Sequence, residues 1–153
     1  MNVYNSVKST SPETEQDGCI RFSDVSWEQF EAIESAFQDI GIVKFFYLAG
    51  ALQLITVSPE HEIIKKTLCM LLEAYLRASG IRFYAKGGQT LGNRQLGGRK
   101  EPDDSYDIGN PKTVPDIAIE VVITSGGIDT LEFYKRLFRK FDFGKTTSYL
   151  FTA

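Results

Sequence analysis

Two carboxylates stand inside the most apolar run of this chain. Residues 113–127 read TVPDIAIEVVITSGG, in which Val114, Ile117, Ile119, Val121, Val122 and Ile123 are mostly β-branched and Gly126-Gly127 close the run. Asp116 and Glu120 interrupt it. A charged group in such company is costly unless it is paired, hydrogen-bonded or metal-bound, and a divalent metal is the explanation that carries chemistry. Alternation along a strand puts both acids on one face. Four residues at about 3.3 Å each set them ~13 Å apart, too far to share one ion. A second ligand must therefore come from elsewhere, and the preceding strand, EPDDSYDI, offers Asp103.

Register decides which acids meet. A turn centred between Pro111 and Lys112 sets Asp103 opposite Glu120, whereas one centred between Gly109 and Asn110 sets it opposite Asp116. The sequence leaves both open. An Asp103/Glu120 pair suits Mg²⁺ or Mn²⁺, hard cations that favour carboxylate and water oxygens. Such an ion polarises a phosphoryl oxygen and turns a bound water into hydroxide near neutral pH. A plainer account competes with this one. Asp103 and Asp116 each follow a proline and could order turns or cap strand ends, which suits Asp116 better than the metal does. Glu120, mid-strand, has no such account.

The elements that must position these acids are legible in outline. Residues 1–20, rich in Ser, Thr, Glu and Asn, read as a mobile tail. Ser26 caps a helix over 27–39 with Phe30, Ile33, Ala36 and Phe37 as its apolar stripe, ended by Gly41. Ala49-Gly50 divides two β-rich runs, a hairpin signal. Ser58-Pro59-Glu60 starts the longest helix, which runs to about residue 79 with Ile63, Ile64, Leu68, Leu71, Leu72, Tyr75 and Leu76 at helical spacing. IRFYA is a short strand, and KGGQTLGNRQLGGRK reads as turns between short strands, with neither a dinucleotide fingerprint nor a P-loop. A last helix covers 128–140.

A chain of 153 residues with 42% hydrophobic and 24% charged side chains suits one domain with a real core. The net charge of −3 conceals an asymmetry: residues 1–60 hold three basic and nine acidic side chains, residues 61–153 fourteen and eleven. The second part could face phosphate, and an ordinary solvated surface explains it equally well. Cys19 and Cys69 form neither a disulfide framework nor a metal pair. The start lacks a hydrophobic signal core and no apolar run reaches membrane-spanning length, so no membrane is expected and the cytoplasm is the expected compartment.

SPEHEIIKKTL, EPDDSY and VPDIAIEVVITSGG followed by LEFYKRL resemble, in order and spacing, the Uma2 group of endonucleases over residues 27–137. The resemblance implies an α/β fold of the restriction-endonuclease-like PD-(D/E)XK kind, a mixed β-sheet flanked by helices. It makes Asp103 the Asp of the PD pair and Glu120 the second acid, both ligands of Mg²⁺ or Mn²⁺. It places His61 on the first core helix and lets Glu60 or Glu62 line the site. Read without the resemblance, His61 at the start of a capped helix can hydrogen-bond locally, and Glu60 and Glu62 answer to the helix dipole.

Two departures stand out. The motif's lysine belongs two residues after the acid, where this chain has Val122, or four residues before Tyr134, where it has Thr130. Lys135 points elsewhere on its helix, and Lys100, beside the Asp103 strand, is the other candidate. After Leu137 the segment FRKFDFGKTTSYLFTA diverges from the group, which suggests a truncated or frame-shifted copy with an unpaired sheet edge.

The expectation is therefore a disordered tail over 1–22 and one nuclease-like domain over 23–153. Its expected activity is metal-dependent hydrolysis of DNA phosphodiesters by Asp103, Glu120, His61 and Glu62, with basic residues around 94–100 on backbone phosphate. DNA is the expected partner, and a homodimer is admitted. The alternative is a catalytically degenerate relic or binding module on the same scaffold.

Overall fold

The structure, a computed structural model, describes residues 18–123, 130–140 and 151–152. It is a mixed α/β arrangement in which helices pack on short, mostly antiparallel strands. The largest sheet has the order β1-β3-β2-β6-β5, which is Gly18–Phe22, Ala51–Thr56, Val43–Leu48, Gly98–Lys100 and Leu91–Asn93 in turn. Strands β2 (Val43–Leu48) and β3 (Ala51–Thr56) form its central hairpin. Ala49 (φ 49°) and Gly50 (φ 90°) make the two-residue turn, both in the left-handed region that twists the flanking strands correctly.

β1 (Gly18–Phe22) runs antiparallel along the other side of β3, with Cys19 opposite Ile55. Residues 18–22 therefore belong to the sheet and not to a disordered tail. Its side chains from Cys19 to Phe22 are exposed, so it is held by backbone pairing and shows no buried alternation to betray it.

Helix α1 (Trp27–Ala36) begins with a reciprocal capping box between Ser26 and Gln29. It ends a turn before Gly41, because the backbone tightens: Phe37 N–H reaches both Ile33 and Glu34 carbonyls, and Gln38 N–H bonds to Ser35. Trp27 and Phe30 pack on Tyr47 and Leu52 of the sheet.

β5 (Leu91–Asn93) and β6 (Gly98–Lys100) flank a 3₁₀ turn whose cap is Asn93, its side chain accepting from Leu96 N–H. Here Gly92 has φ 89°, and a Cβ on it would overlap the Gly98 carbonyl. Gly92→Ala should therefore cost well over ~1 kcal/mol in urea unfolding, beyond the ordinary penalty at an incompatible φ. Gly97→Ala, at φ 67° in open space, should cost less.

Helix α2 (Pro59–Ala78) is capped by Ser58, which accepts from His61 N–H, and Gly80 (φ 67°) follows its end. It packs on the second sheet, β4-β7-β8, formed by Phe83–Ala85, Asp104–Ile108 and Ile117–Ile119. Only part of the expected stripe faces inward: Leu76 is buried and Ile64, Leu68 and Leu72 partly so, while Ile63, Leu71 and Tyr75 are exposed, and Cys69, outside that stripe, is buried.

Burial, with Asp104 at 3.2 Å, pushes the Cys69 thiol up to about 11. At pH 8 very little thiolate is then present, so a disulfide reagent should titrate exposed Cys19 at once and Cys69 only on unfolding.

Helix α3 (Thr130–Lys140) buries Phe133, Tyr134 and Leu137 against Phe46 and Leu48. Beyond it, β10 (Phe151–Thr152) lies parallel to β9 (Val121–Val122). The segment after α3 thus supplies a partner for β9. Among the described residues no helix is long and apolar enough to cross a membrane.

Candidate functional site

The ladder between β7 and β8 sets Asp104 opposite Ile119, Ser105 opposite Ala118 and Tyr106 opposite Ile117. The regular ladder ends at that first pair, because Asp103 N–H donates to the Ile119 carbonyl at 3.0 Å and not to Glu120, so Asp103 and Glu120 flank its end on the two strands. The turn is therefore centred between Pro111 and Lys112. Asp116 fastens it: its carboxylate accepts from Ile108 N–H at 2.7 Å and pairs with Lys112 Nζ at 2.6 Å. Asp107 takes Lys112 N–H at 2.7 Å from the other side. Asp116 is thus a turn-ordering residue, as its position after a proline suggested.

The single buried strand expected over 113–127 is broken at Glu120 into β8 and β9, and its first residues, 113–116, form the turn. The break has a local cause. Val121 N–H donates to Asp103 Oδ2 at 2.7 Å, so a side chain replaces the backbone acceptor and Glu120 leaves the regular ladder.

Both acids are buried, and each has its own set of donors. Asp103 Oδ1 lies 2.8 Å from Lys44 Nζ and 3.0 Å from His61 Nε2. Glu120 Oε2 lies 3.1 Å from Lys100 Nζ, and Glu120 Oε1 accepts from the Tyr134 hydroxyl at 2.5 Å. Lys100 also sits 4.7 Å from the centre of the Phe46 ring. Asp103, Glu120, His61, Lys44 and Lys100 all line one cavity of roughly 120 Å³. Val122 and Thr130, the two positions where the resemblance would put a lysine, line it as well.

The two carboxyls behave oppositely. Burial alone would raise Asp103, but the His61 hydrogen bond, the Lys44 charge and the Val121 N–H together hold it well below the usual carboxylate range. Glu120 is raised: its burial is the largest influence, the negative charge of Asp103 adds to it, and Lys100 and Tyr134 only partly offset them. Tyr134 is raised by burial and by Glu120, so it stays protonated and donates. Burial disfavours the Lys44 ammonium, yet Asp103 more than compensates and raises it.

Of the expected site residues, His61 and Asp103 touch, and Glu120 lines the same cavity. Glu62 does not: it pairs with Lys65 at 2.6 Å, half exposed, and lies outside this cavity in the shallow depression near Cys69 and Asp104. At the fourth helical position, one residue beyond His61, its side chain leaves the helix about 100° round from it.

Of the basic residues expected on phosphate, Arg94 and Arg99 form ion pairs within the protein. Arg94 pairs with Glu28, and Arg99 pairs with Glu34 at 2.6 Å while lying over the Trp27 and Phe30 rings. They hold α1 to the sheet. Lys135 is exposed.

Lys44 and Tyr134 were missed as site residues. The signal for Lys44 was the one that exposed Glu120, a charge inside an apolar strand, here VKFFYL.

Two buried carboxylates lining one cavity are the kind of ligand Mg²⁺ takes, since it is ordinarily held by one or two carboxylates with waters completing its shell. Among the described residues no third His, Cys, Asp or Glu joins them in a metal-binding group. The donor chemistry fits, while all four carboxylate oxygens already meet a proton donor. Compared with protein-family models, with curated proteins and with solved structures, the chain matches none.

Proposed function

We propose that this chain is a Mg²⁺- or Mn²⁺-dependent nuclease that hydrolyses DNA phosphodiesters, built on a restriction-endonuclease-like scaffold. The observation that carries the reading is that Asp103 and Glu120 flank the end of one ladder and line one cavity with Lys100. The Uma2-like motifs support it. The bound ion would polarise a phosphoryl oxygen and supply hydroxide. The chain's own residues do the rest. Asp103 and Glu120 hold the cation, His61 orients Asp103, and Tyr134 orients Glu120. Lys100, fixed between Glu120 and Phe46, supplies the positive charge absent at Val122 and Thr130, where it can offset charge developing on phosphate.

One observation favours a second reading, a relic that keeps the scaffold and binds without cleaving. The two carboxylates are already neutralised by two lysines and need no ion to be stable. Incubating supercoiled plasmid with the pure protein, with and without Mg²⁺, separates the two. Nicking that needs the metal supports the nuclease; metal binding without nicking supports the relic. Thr130→Lys should add little to cleavage, because Lys100 already occupies the cavity, and a large gain would show that Lys100 does not serve.

A further inference from the structure

The two ammonium groups in the cavity are not equivalent. Lys100 is held between Glu120 and the Phe46 ring, and its side chain is 8% exposed. Lys44 touches the same cavity from β2, but its side chain is 24% exposed. It has a path to water that Lys100 lacks. Beside that path is Glu101, which lines the cavity and already attracts the Lys44 charge.

Asp103 has little room for a further partner. Oδ2 is committed to Val121 N–H, and Oδ1 is shared by Lys44 and His61. His61 is buried and fixed at the start of α2. Of the donors on Oδ1, Lys44 is the one that can leave.

We infer that Lys44 is an exchangeable counter-ion, its ammonium occupying the place at Asp103 that a divalent cation takes, so that metal enters only as Lys44 swings out towards Glu101. The inference rests on the metal site proposed above. Its physical basis is charge balance. A divalent ion added to two carboxylates and two ammoniums leaves an excess of positive charge among buried groups, and releasing the mobile ammonium relieves part of it. Lys100 stays. One lysine is thus resident and the other a place-holder that keeps the metal-free protein neutral at its core.

The test is Mn²⁺ binding to the full chain, measured by calorimetry and by paramagnetic resonance of free Mn²⁺, with no DNA present. Lys44→Met should bind Mn²⁺ at least ~10-fold more tightly than wild type, the scale on which groups contacting a metal ligand change affinity. Its melting temperature should rise more on adding Mn²⁺, and Lys44→Arg, which keeps the charge, should stay near wild type. Equal or weaker binding by Lys44→Met, or no saturable binding by either protein, overturns the exchange.

Should Lys44→Met not fold, ¹⁵N-lysine spectra of the wild type under Mg²⁺ titration decide. The Lys44 Nζ signal should move to a solvent-exposed position while that of Lys100 holds, and an unmoved Lys44 overturns the proposal. Tighter binding by Lys44→Met with no DNA cleavage by any variant upholds the exchange and removes the nuclease. Metal-dependent cleavage with unchanged affinity does the reverse.

Discussion

Glu120→Gln removes metal-dependent DNA cleavage by at least ~100-fold while the protein remains folded, if the nuclease reading is right. The scale is a floor, because groups that only support a metal ligand are already worth about 10–100-fold, and Glu120 is itself a proposed ligand. The amide keeps the shape of the side chain and can still accept from Tyr134, but it loses the charge that holds both Lys100 and a cation. A buried ammonium left without its partner is costly, on the order of 3–5 kcal/mol when a buried pair is broken. Loss of activity must therefore be separated from loss of fold. The double variant Glu120→Gln with Lys100→Met takes away both charges, so it should be more stable than Glu120→Gln alone and still inactive. Plasmid nicking and urea unfolding on the same preparations check both statements. A Glu120→Gln protein that cuts at the wild-type rate would remove Glu120 from the chemistry.

Asp103→Ala is expected to have the largest effect on stability. It leaves Lys44, His61 and Val121 N–H without their common acceptor, inside a site where the acid is only 8% exposed. Breaking such a pair from one side costs about 3–5 kcal/mol, which for a chain of this size lowers the melting temperature on the order of 10 °C. The same carboxylate gives a pH signature. Its folded pKa lies below its unfolded value, so the unfolded state binds the proton more readily. Its stabilisation is fully present above the unfolded pKa of about 4 and is lost as pH falls further towards the folded one. Asp103→Asn should therefore have a flatter loss of stability below about pH 4 than wild type, measured by urea unfolding between pH 2.5 and 6. An identical acid limb would mean that Asp103 carries no net stabilising charge.

The elements with a local chemical cause were legible in the sequence. Ser26 and Ser58-Pro59 announce α1 and α2 because a cap satisfies orphan N–H groups whatever the fold around it. Ala49-Gly50 announces the central hairpin because a two-residue turn needs positive φ. The acid-bearing strands were legible too, but their register was not. Two turn centres satisfy the same residues, and the choice is made by hydrogen bonds from Ile108 and Lys112 onto the Asp116 and Asp107 side chains. β1 escaped notice because its side chains are largely exposed and pairing with β3 is all that orders it. Lys44 escaped because its reason for being there lies 59 residues away, at Asp103. The outward apolar face of α2 has the same kind of explanation: the helical period marks Ile63 and Leu71 as firmly as Leu68 and Leu72, and only the packing of Leu68, Cys69 and Leu72 with Tyr106 and Ile119 divides them.

The most direct measurement is a crystal structure of the wild-type chain grown with Mn²⁺, with anomalous diffraction to locate the ion. A single Mn²⁺ peak within about 2.0–2.6 Å of oxygens from both Asp103 and Glu120, with Lys44 turned away and Lys100 still on Glu120, is the predicted result. Asp103 and Glu120 still bound to their lysines, with no Mn²⁺ between them at saturating concentration, would contradict it.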